Sequence, residues 1–168
     1  MASELEIRKA KPADAEGIAE VLLEAFGAYR ENYTTEAFEA VTPSADEIEK
    51  RFEEGPQWVA EIDGEIVGTV SISIEPEGLY VRSMAVRSGA QGRGIGHKLM
   101  DAANEFADES EHDRIFLYTT YFVPGAKAFY ESHGYKRVRD TTAEEWFGTP
   151  GLEMERMIGK KKQNAVRS

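Results

Sequence analysis

The sequence predicts an α/β fold in which an antiparallel meander of strands lies between helical segments. Residues 58–86 hold three alternating segments separated by tight-turn residues, the pattern of an antiparallel meander. Apolar residues at helical spacing occur on both sides of this region. With 168 residues, the chain is long enough for one domain with a sizeable core and short for two. We therefore expect a single domain over residues 1–158 and a frayed, basic tail over residues 159–168.

The N-terminal part predicts one strand and two helices. Residues 5–8 alternate between apolar and polar, which indicates a strand. Pro12 suits the first turn of a helix, and the apolar residues that follow it continue that helix. Ser44, with Glu47 three positions later, forms a capping box that begins a second helix. Between the helices, residues 27–43 scatter aromatic side chains among acids and show no clear period.

Six further strands and two helices follow. Asp63-Gly64 is a two-residue hairpin signal inside the meander, and Pro76 with Gly78 marks its second turn. The segments after the meander are a helix from Ile95, a strand at 114–120, a helix at 124–132 and strands at 135–139 and 152–158. Together these patterns predict seven strands and about four helices.

Charge limits the partners that we expect. The formal net charge is −11, so neither nucleic acid nor an anionic membrane is an expected partner. Residues 78–100 nevertheless contain no Asp or Glu and hold three arginines, a histidine and a lysine. This local excess of positive charge favours an anion site, with a chance cluster as the alternative.

Several classes of site are disfavoured by residue content. The chain has no cysteine, which excludes a disulfide framework, a thiolate nucleophile and a cysteine-ligated metal. The three histidines show no metal-binding spacing, and a Gly-x-Ser-x-Gly segment is absent, so we expect no metal and no serine nucleophile. The sequence has no apolar run of membrane-spanning length and begins without a secretory signal, which predicts a cytoplasmic protein.

Residues 91–98, Gln-Gly-Arg-Gly-Ile-Gly-His-Lys, place glycine at every second position immediately before a helix. A strand, a glycine-rich loop and a helix N-terminus together suit an anion, because free N–H groups can approach an oxyanion closely. The loop matches neither the P-loop, in which Ser or Thr follows the lysine, nor the dinucleotide fingerprint Gly-x-Gly-x-x-Gly. It does match Gln/Arg-x-x-Gly-x-Gly, read from Gln91 to Gly96.

This loop resembles the coenzyme A pyrophosphate loop of the GNAT superfamily of N-acetyltransferases. Residues 126–138, AKAFYESHGYKRV, resemble the late helix and sixth strand of the same family, and the order of elements over residues 5–158 is similar. The resemblance implies a mixed, mostly antiparallel seven-stranded sheet that is flanked by about four helices and splays between its fourth and fifth strands. It also implies acetyl-CoA as cosubstrate and an amine as acceptor; the assembly state is open, with a homodimer as one candidate.

The resemblance implies a cofactor site made from two backbone segments. Met84, Ala85 and Val86 would lie along the pantetheine arm, where a backbone N–H would polarise the thioester carbonyl. Strand packing is the alternative role for this segment. The residues implied to bind the pyrophosphate are Gln91, Gly92, Arg93, Gly94, Ile95, Gly96 and His97.

Tyr130 aligns with the family tyrosine whose hydroxyl protonates the leaving thiolate, which implies a general acid. A core tyrosine packed beside Phe129 is the alternative.

Two positions depart from the family pattern. Val123 stands where many relatives carry an Asn that contacts the cofactor, and Tyr80 stands where many carry a Glu that acts as general base. The base is therefore unassigned. Glu75 and Glu77 lie nearby in sequence, although turn residues are the more natural interpretation of both.

The acceptor site is implied near residues 27–43 and near Trp146, and Tyr29, Tyr33 and Tyr80 are its candidate residues. The acids in these segments would suit a cationic amine with an apolar part, although a solvated acidic face is the favoured interpretation. The sequence thus predicts transfer of an acetyl group to a primary amine of a small molecule or peptide by direct attack. The alternatives are a non-catalytic acyl-CoA sensor or scaffold and a partner-binding fold without a cofactor.

Overall fold

The computed structural model describes residues 4–159, so of the predicted tail only Gly159 falls within the described residues. Its seven strands are β1 (Leu5–Lys9), β2 (Gln57–Ile62), β3 (Glu65–Glu75), β4 (Gly78–Val86), β5 (Arg114–Thr119), β6 (Lys136–Asp140) and β7 (Leu152–Met157). They form one sheet in the order β1-β2-β3-β4-β5-β7-β6. Only the β4–β5 pair is parallel within these residues, which confirms the predicted mixed, mostly antiparallel sheet.

The described residues contain five α-helices: α1 (Ala15–Gly27), α2 (Thr35–Val41), α3 (Ala45–Arg51), α4 (Ile95–Glu109) and α5 (Ala126–Glu131). The prediction of about four helices missed α2, because its apolar residues show no clear period. A cap begins this helix instead, since the Ala37 N–H donates to Thr34 Oγ1 at 3.2 Å. The capping box predicted at Ser44 and Glu47 is confirmed at the start of α3. Within residues 4–159, none of these helices has the length and apolar character needed to cross a membrane.

The turn between β2 and β3 has the predicted hairpin geometry. Asp63 has a φ of 52° and Gly64 a φ of 81°. Positive φ at both central residues matches the turn twist to the twist of the two strands. The Asp-Gly signal therefore fixes the register of the hairpin.

Different helices cover the two faces of the sheet. Side chains alternate along a strand, so Trp58 and Ala60 of β2 pack in the same apolar cluster as Leu99 of α4. Val59, between them, packs in the opposite cluster with Ile18 of α1 and with α3. Residues of α5 pack against the α4 side. The cores on both faces hold the central strands in place.

The sheet parts between β4 and β5, as predicted. Their parallel register ends at Val81 and Leu117, although β4 continues to Val86. Over that second half, β4 pairs only with β3 among the described strands, through a ladder that a bulge interrupts. Ser83 lies in the bulge and has a φ of 58°, an uncommon conformation for a residue with a side chain. The parted segment, Arg82–Val86, thus presents backbone that β5 does not pair.

Candidate active site

A cavity of about 420 Å³ opens where β4 and β5 part. The parted segment, the end of β5, the start of α5 and residues near 26–41 and 145–151 supply its walls. Aromatic and threonine side chains make up much of the lining, and its charged members are Arg51, Arg82 and Glu145. A volume of this size suits a small molecule.

The cavity brings together four of the residues singled out in the sequence. Met84, Tyr130, Tyr33 and Tyr80 all line it. Tyr29 is not among its lining residues, since its ring packs against Phe122 with centroids 6.2 Å apart. The acid candidate, the β4 segment and two of the three acceptor-site candidates therefore share one space.

Tyr130 presents a free phenol to the cavity. Its ring packs beside Phe129 and Tyr135, with centroids 5.1 and 6.2 Å away. Within residues 4–159, its hydroxyl makes no hydrogen bond, whereas the Tyr135 hydroxyl donates to Asn104 Oδ1 at 2.8 Å. Burial, with a smaller contribution from Tyr33, raises the pKa of Tyr130. The phenol therefore keeps its proton at neutral pH and has a free oxygen.

The glycines of the loop serve two different purposes. Gly92 and Gly94 have φ values of 87° and 72°, and a Cβ at either would meet nothing within 4 Å. Gly94 also caps α4, whose first-turn N–H groups have no partner within the helix. Gly96 is helical, and a Cβ there would lie 3.0 Å from Met84 Cε. The first two glycines thus leave open space above the helix N-terminus, and the third lets α4 approach β4.

Only part of the predicted basic cluster is free to bind an anion. Arg82 and Arg87 each form an ion pair with a glutamate. Arg93 and Lys98 are exposed and take part in no ion pair within the part of the chain that the structure describes. Because these two residues flank the N-terminus of α4, the positive charge that remains coincides with the glycine loop.

His97, a candidate cofactor residue, is engaged with a second histidine. Its Nδ1 lies 2.8 Å from Nε2 of His133, whose Nδ1 lies 3.6 Å from Asp101 Oδ1. Burial lowers the pKa of His133. Over residues 4–159, no group of three or more His, Asp or Glu side chains is arranged to hold a metal. The histidine pair therefore links the start of α4 to the end of α5.

Most acids of the two segments implied to form the acceptor site do not line the cavity. Of the predicted acceptor-site glutamates, only Glu145 lines the cavity. Its carboxylate binds Arg139 at 2.6 Å, which lowers its pKa to about 2. Neither Glu75 nor Glu77 is a lining residue. Tyr80, at the position of the family base, is a neutral phenol, because burial raises its pKa to about 12.

Arg51 is the charged residue of the cavity that sequence reasoning missed. It ends α3, and its Nη1 donates to Ser83 Oγ at 2.8 Å. Burial, and then the nearby Arg82, lower the pKa of Arg51 to about 10, which leaves it charged at neutral pH. A basic residue in the last turn of a helix is ordinary, so no sequence signal distinguished it.

Comparison with known proteins points to one family. The Acetyltransferase (GNAT) family model matches residues 18–135. N-acetylaspartate synthetase of Danio rerio is 33% identical over 97 residues, which are 56% of this chain and 33% of that protein. The uncharacterized N-acetyltransferase YhfO of Bacillus subtilis is 28% identical over 147 residues, 79% of this chain and 90% of its own. The chain spans only about a third of the N-acetylaspartate synthetases of Danio rerio (33%) and Xenopus tropicalis (31%). It spans 39% of the probable N-acetyltransferase camello of Xenopus tropicalis.

Solved structures share the fold. The PaiA N-acetyltransferase of Thermoplasma acidophilum, in complex with coenzyme A, superposes with a TM-score of 0.75 at 20% identity. The superposition covers 92% of this chain and 99% of that one. A GNAT-family acetyltransferase of Staphylococcus aureus superposes with a TM-score of 0.73 over 93% and 100% of the two chains, again at 20% identity.

Proposed function

Since this chain belongs to the GNAT family of acetyltransferases, we propose that it transfers the acetyl group of acetyl-CoA to a primary amine of a small molecule or peptide. The observation that carries the proposal is the free hydroxyl of Tyr130 in a cavity beside unpaired backbone of β4. We assign the activity to one domain over residues 1–158, because β1 to β7 share a single sheet.

The residues present fit acetyl-CoA. Gly92 and Gly94 leave space for a diphosphate, and Arg93 and Lys98 supply charge that no acid neutralises among the described residues. We assign the pyrophosphate to residues 91–97 and the pantetheine arm to the backbone of residues 84–86. When bound, the cosubstrate supplies an activated acyl thioester.

The chain's own groups then account for direct transfer. The neutral amine attacks the acyl carbon, so that a C–N bond forms and the C–S bond breaks. Backbone N–H groups of residues 84–86 on the β5 side have no strand partner in the register, and they stabilise negative charge on the acyl oxygen. Tyr130 gives its proton to the departing sulfur, and the proton lost by the amine restores the phenol through water. The products are an amide and a thiol.

Substitution of Tyr130 tests the proposal. Acetyl-CoA should raise the Tm of the wild type, and thiol release should follow when a suitable amine is added. Tyr130→Phe should lower kcat by about 100-fold without changing the affinity for acetyl-CoA, because only proton donation is lost. Tyr135→Phe is the matched control, since it removes a hydroxyl that bonds Asn104 and should lower Tm rather than kcat.

The outcomes separate the alternatives. Equal kcat values for the two variants would show that Tyr130 only packs. Acetyl-CoA binding without thiol release for any amine would favour a non-catalytic sensor or scaffold. A lack of any Tm shift with acetyl-CoA or coenzyme A would overturn the assignment of the glycine loop.

A further inference from the structure

We propose that the acceptor carries a carboxylate a few bonds from its amine, as a free amino acid does, and that Arg51 binds this carboxylate. The inference rests on the proposed function and names the class of its acceptor. It replaces the cationic amine that the acidic sequence suggested.

Two of the three charged residues that line the cavity are already paired. Arg82 is paired with Glu54, and Glu145 is paired with Arg139. Arg51 is the third charged lining residue, and within residues 4–159 it forms no ion pair. A partly buried guanidinium without an ion-pair partner of its own is costly, so the cavity is suited to an anionic group at this point.

The hydrogen bonds of Arg51 leave donors available. A guanidinium has five N–H donors in a planar fork that matches a carboxylate. In the described part of the chain, the only side-chain hydrogen bond of Arg51 runs from Nη1 to Ser83 Oγ, at 2.8 Å. That bond fixes the position of the guanidinium against the parted segment and leaves further N–H groups for a ligand.

The position of Ser83 sets the reach of the acceptor. It directly precedes Met84, whose backbone we assign to the acyl group, and neighbouring Cα atoms are about 3.8 Å apart. A carboxylate on Arg51 would therefore lie close to the acyl carbon that the amine attacks. A free amino acid has its amine one carbon away from such a carboxylate, whereas the side-chain amine of a lysine in a peptide has no carboxylate beside it.

The rest of the lining is consistent with an amino carboxylate. Tyr33, Tyr80 and Trp146 offer aromatic surface for an apolar side chain. A polyamine would instead meet Arg51 with no free carboxylate in the described lining to receive it. The geometry thus points to amino acids over polycations.

The experiment measures kcat/KM for amino acids and for their amides, each expressed per deprotonated amine. Phenylalanine with phenylalaninamide and alanine with alaninamide are suitable pairs, because each pair differs only in the carboxylate. The wild type should prefer the acid by about 10- to 100-fold. Arg51→Met should remove that preference by lowering kcat/KM for the acid alone, and Arg51→Lys should retain part of it.

Lys50→Met is the matched control, since Lys50 precedes Arg51 in the last turn of α3, is exposed and does not line the cavity. It should leave the preference unchanged, and Tm measurements on all variants should exclude misfolding as the cause. The inference is overturned if the wild type uses the amides as well as the acids, or if Arg51→Met lowers both activities equally.

Failure of the proposed function would look different, because no amine would release thiol from acetyl-CoA. In that case, calorimetry with phenylalanine and the coenzyme A-saturated protein tests Arg51 directly. Binding by the wild type that Arg51→Met weakens at least tenfold would support the carboxylate site. Absence of binding, or equal binding by the variant, would overturn it.

Discussion

Gly94→Ala separates the backbone requirement of the glycine loop from its binding requirement. Gly94 has a φ of 72° and open space at Cβ, and Gly64 in the β2–β3 turn is alike, with a φ of 81° and open space. An alanine at either position is forced into the left-handed region, which costs about 1–2 kcal/mol. Only at Gly94 would the new methyl group also enter the space that we assign to the pyrophosphate.

The two variants should therefore match in stability and differ in binding. A loss of about 1 kcal/mol lowers Tm by about 2–4 °C for a chain of this size. Loss of one charge-assisted hydrogen bond to the diphosphate, at about 1.5–3 kcal/mol, predicts a Kd for coenzyme A that is about 10- to 100-fold higher for Gly94→Ala. Gly64→Ala should bind coenzyme A like the wild type.

Urea unfolding gives the free energies of unfolding, and titration calorimetry with coenzyme A gives the Kd values. Equal Kd values for the two variants would refute the assignment of the pyrophosphate to this loop. A stability loss at Gly64 without one at Gly94 would refute the backbone argument, because both residues have similar positive φ values.

Three further predictions concern stability. A Cβ at Gly55 would overlap the Ile72 carbonyl oxygen, so Gly55→Ala should lower the free energy of unfolding by about 3 kcal/mol or more. Gly27→Ala, in open space, should change the free energy of unfolding by less than about 1 kcal/mol. Similar urea midpoints for the two variants would contradict this prediction. Leu99→Ala empties a fully buried site and should cost about 3–5 kcal/mol in the same assay, and a loss below about 1 kcal/mol would mean that α4 is loosely packed. The pKa of Glu145 is lowered from 4.5 to about 2, so the stability that its carboxylate contributes is present above about pH 4.5 and is lost as the pH falls toward 2. The Tm difference between the wild type and Glu145→Gln should therefore shrink between pH 4.5 and pH 2. A Tm difference that stays constant over this range would contradict the ion pair with Arg139.

The strands were predictable because local residues determine them, but α2 was not. Asp63-Gly64 can form its turn without help from the rest of the chain, and alternation marks the strands beside it. By contrast, Thr34 at the start of α2 is held by the distant C-terminal connection. Its N–H donates to Thr149 Oγ1 at 3.1 Å, and its hydroxyl donates to the Phe147 carbonyl at 2.8 Å. Contacts over such sequence separations leave no local pattern.

The same distinction applies to the site. The glycine loop could be recognised from the sequence, because positive φ values and close backbone contacts favour glycine at fixed positions of the loop itself. The role that we propose for Arg51 could not, because it depends on which arginines are already paired. Arg82 lies in the same basic region of the sequence, yet Glu54 neutralises it in the folded chain. Ion pairing of this kind is decided by packing and is not visible in residue order.

The parting of the sheet also leaves two strand edges without a partner among the described strands. The parallel register between β4 and β5 runs only from Leu79–Ile115 to Val81–Leu117, and beyond it both strands present an unpaired edge in the middle of the sheet. Open edges are templates for strand addition by other chains. The pantetheine arm, in the position that we propose for it, would cover these edges and stabilise the native state by mass action. We therefore expect the protein to stay dispersed longer in the presence of coenzyme A than in its absence.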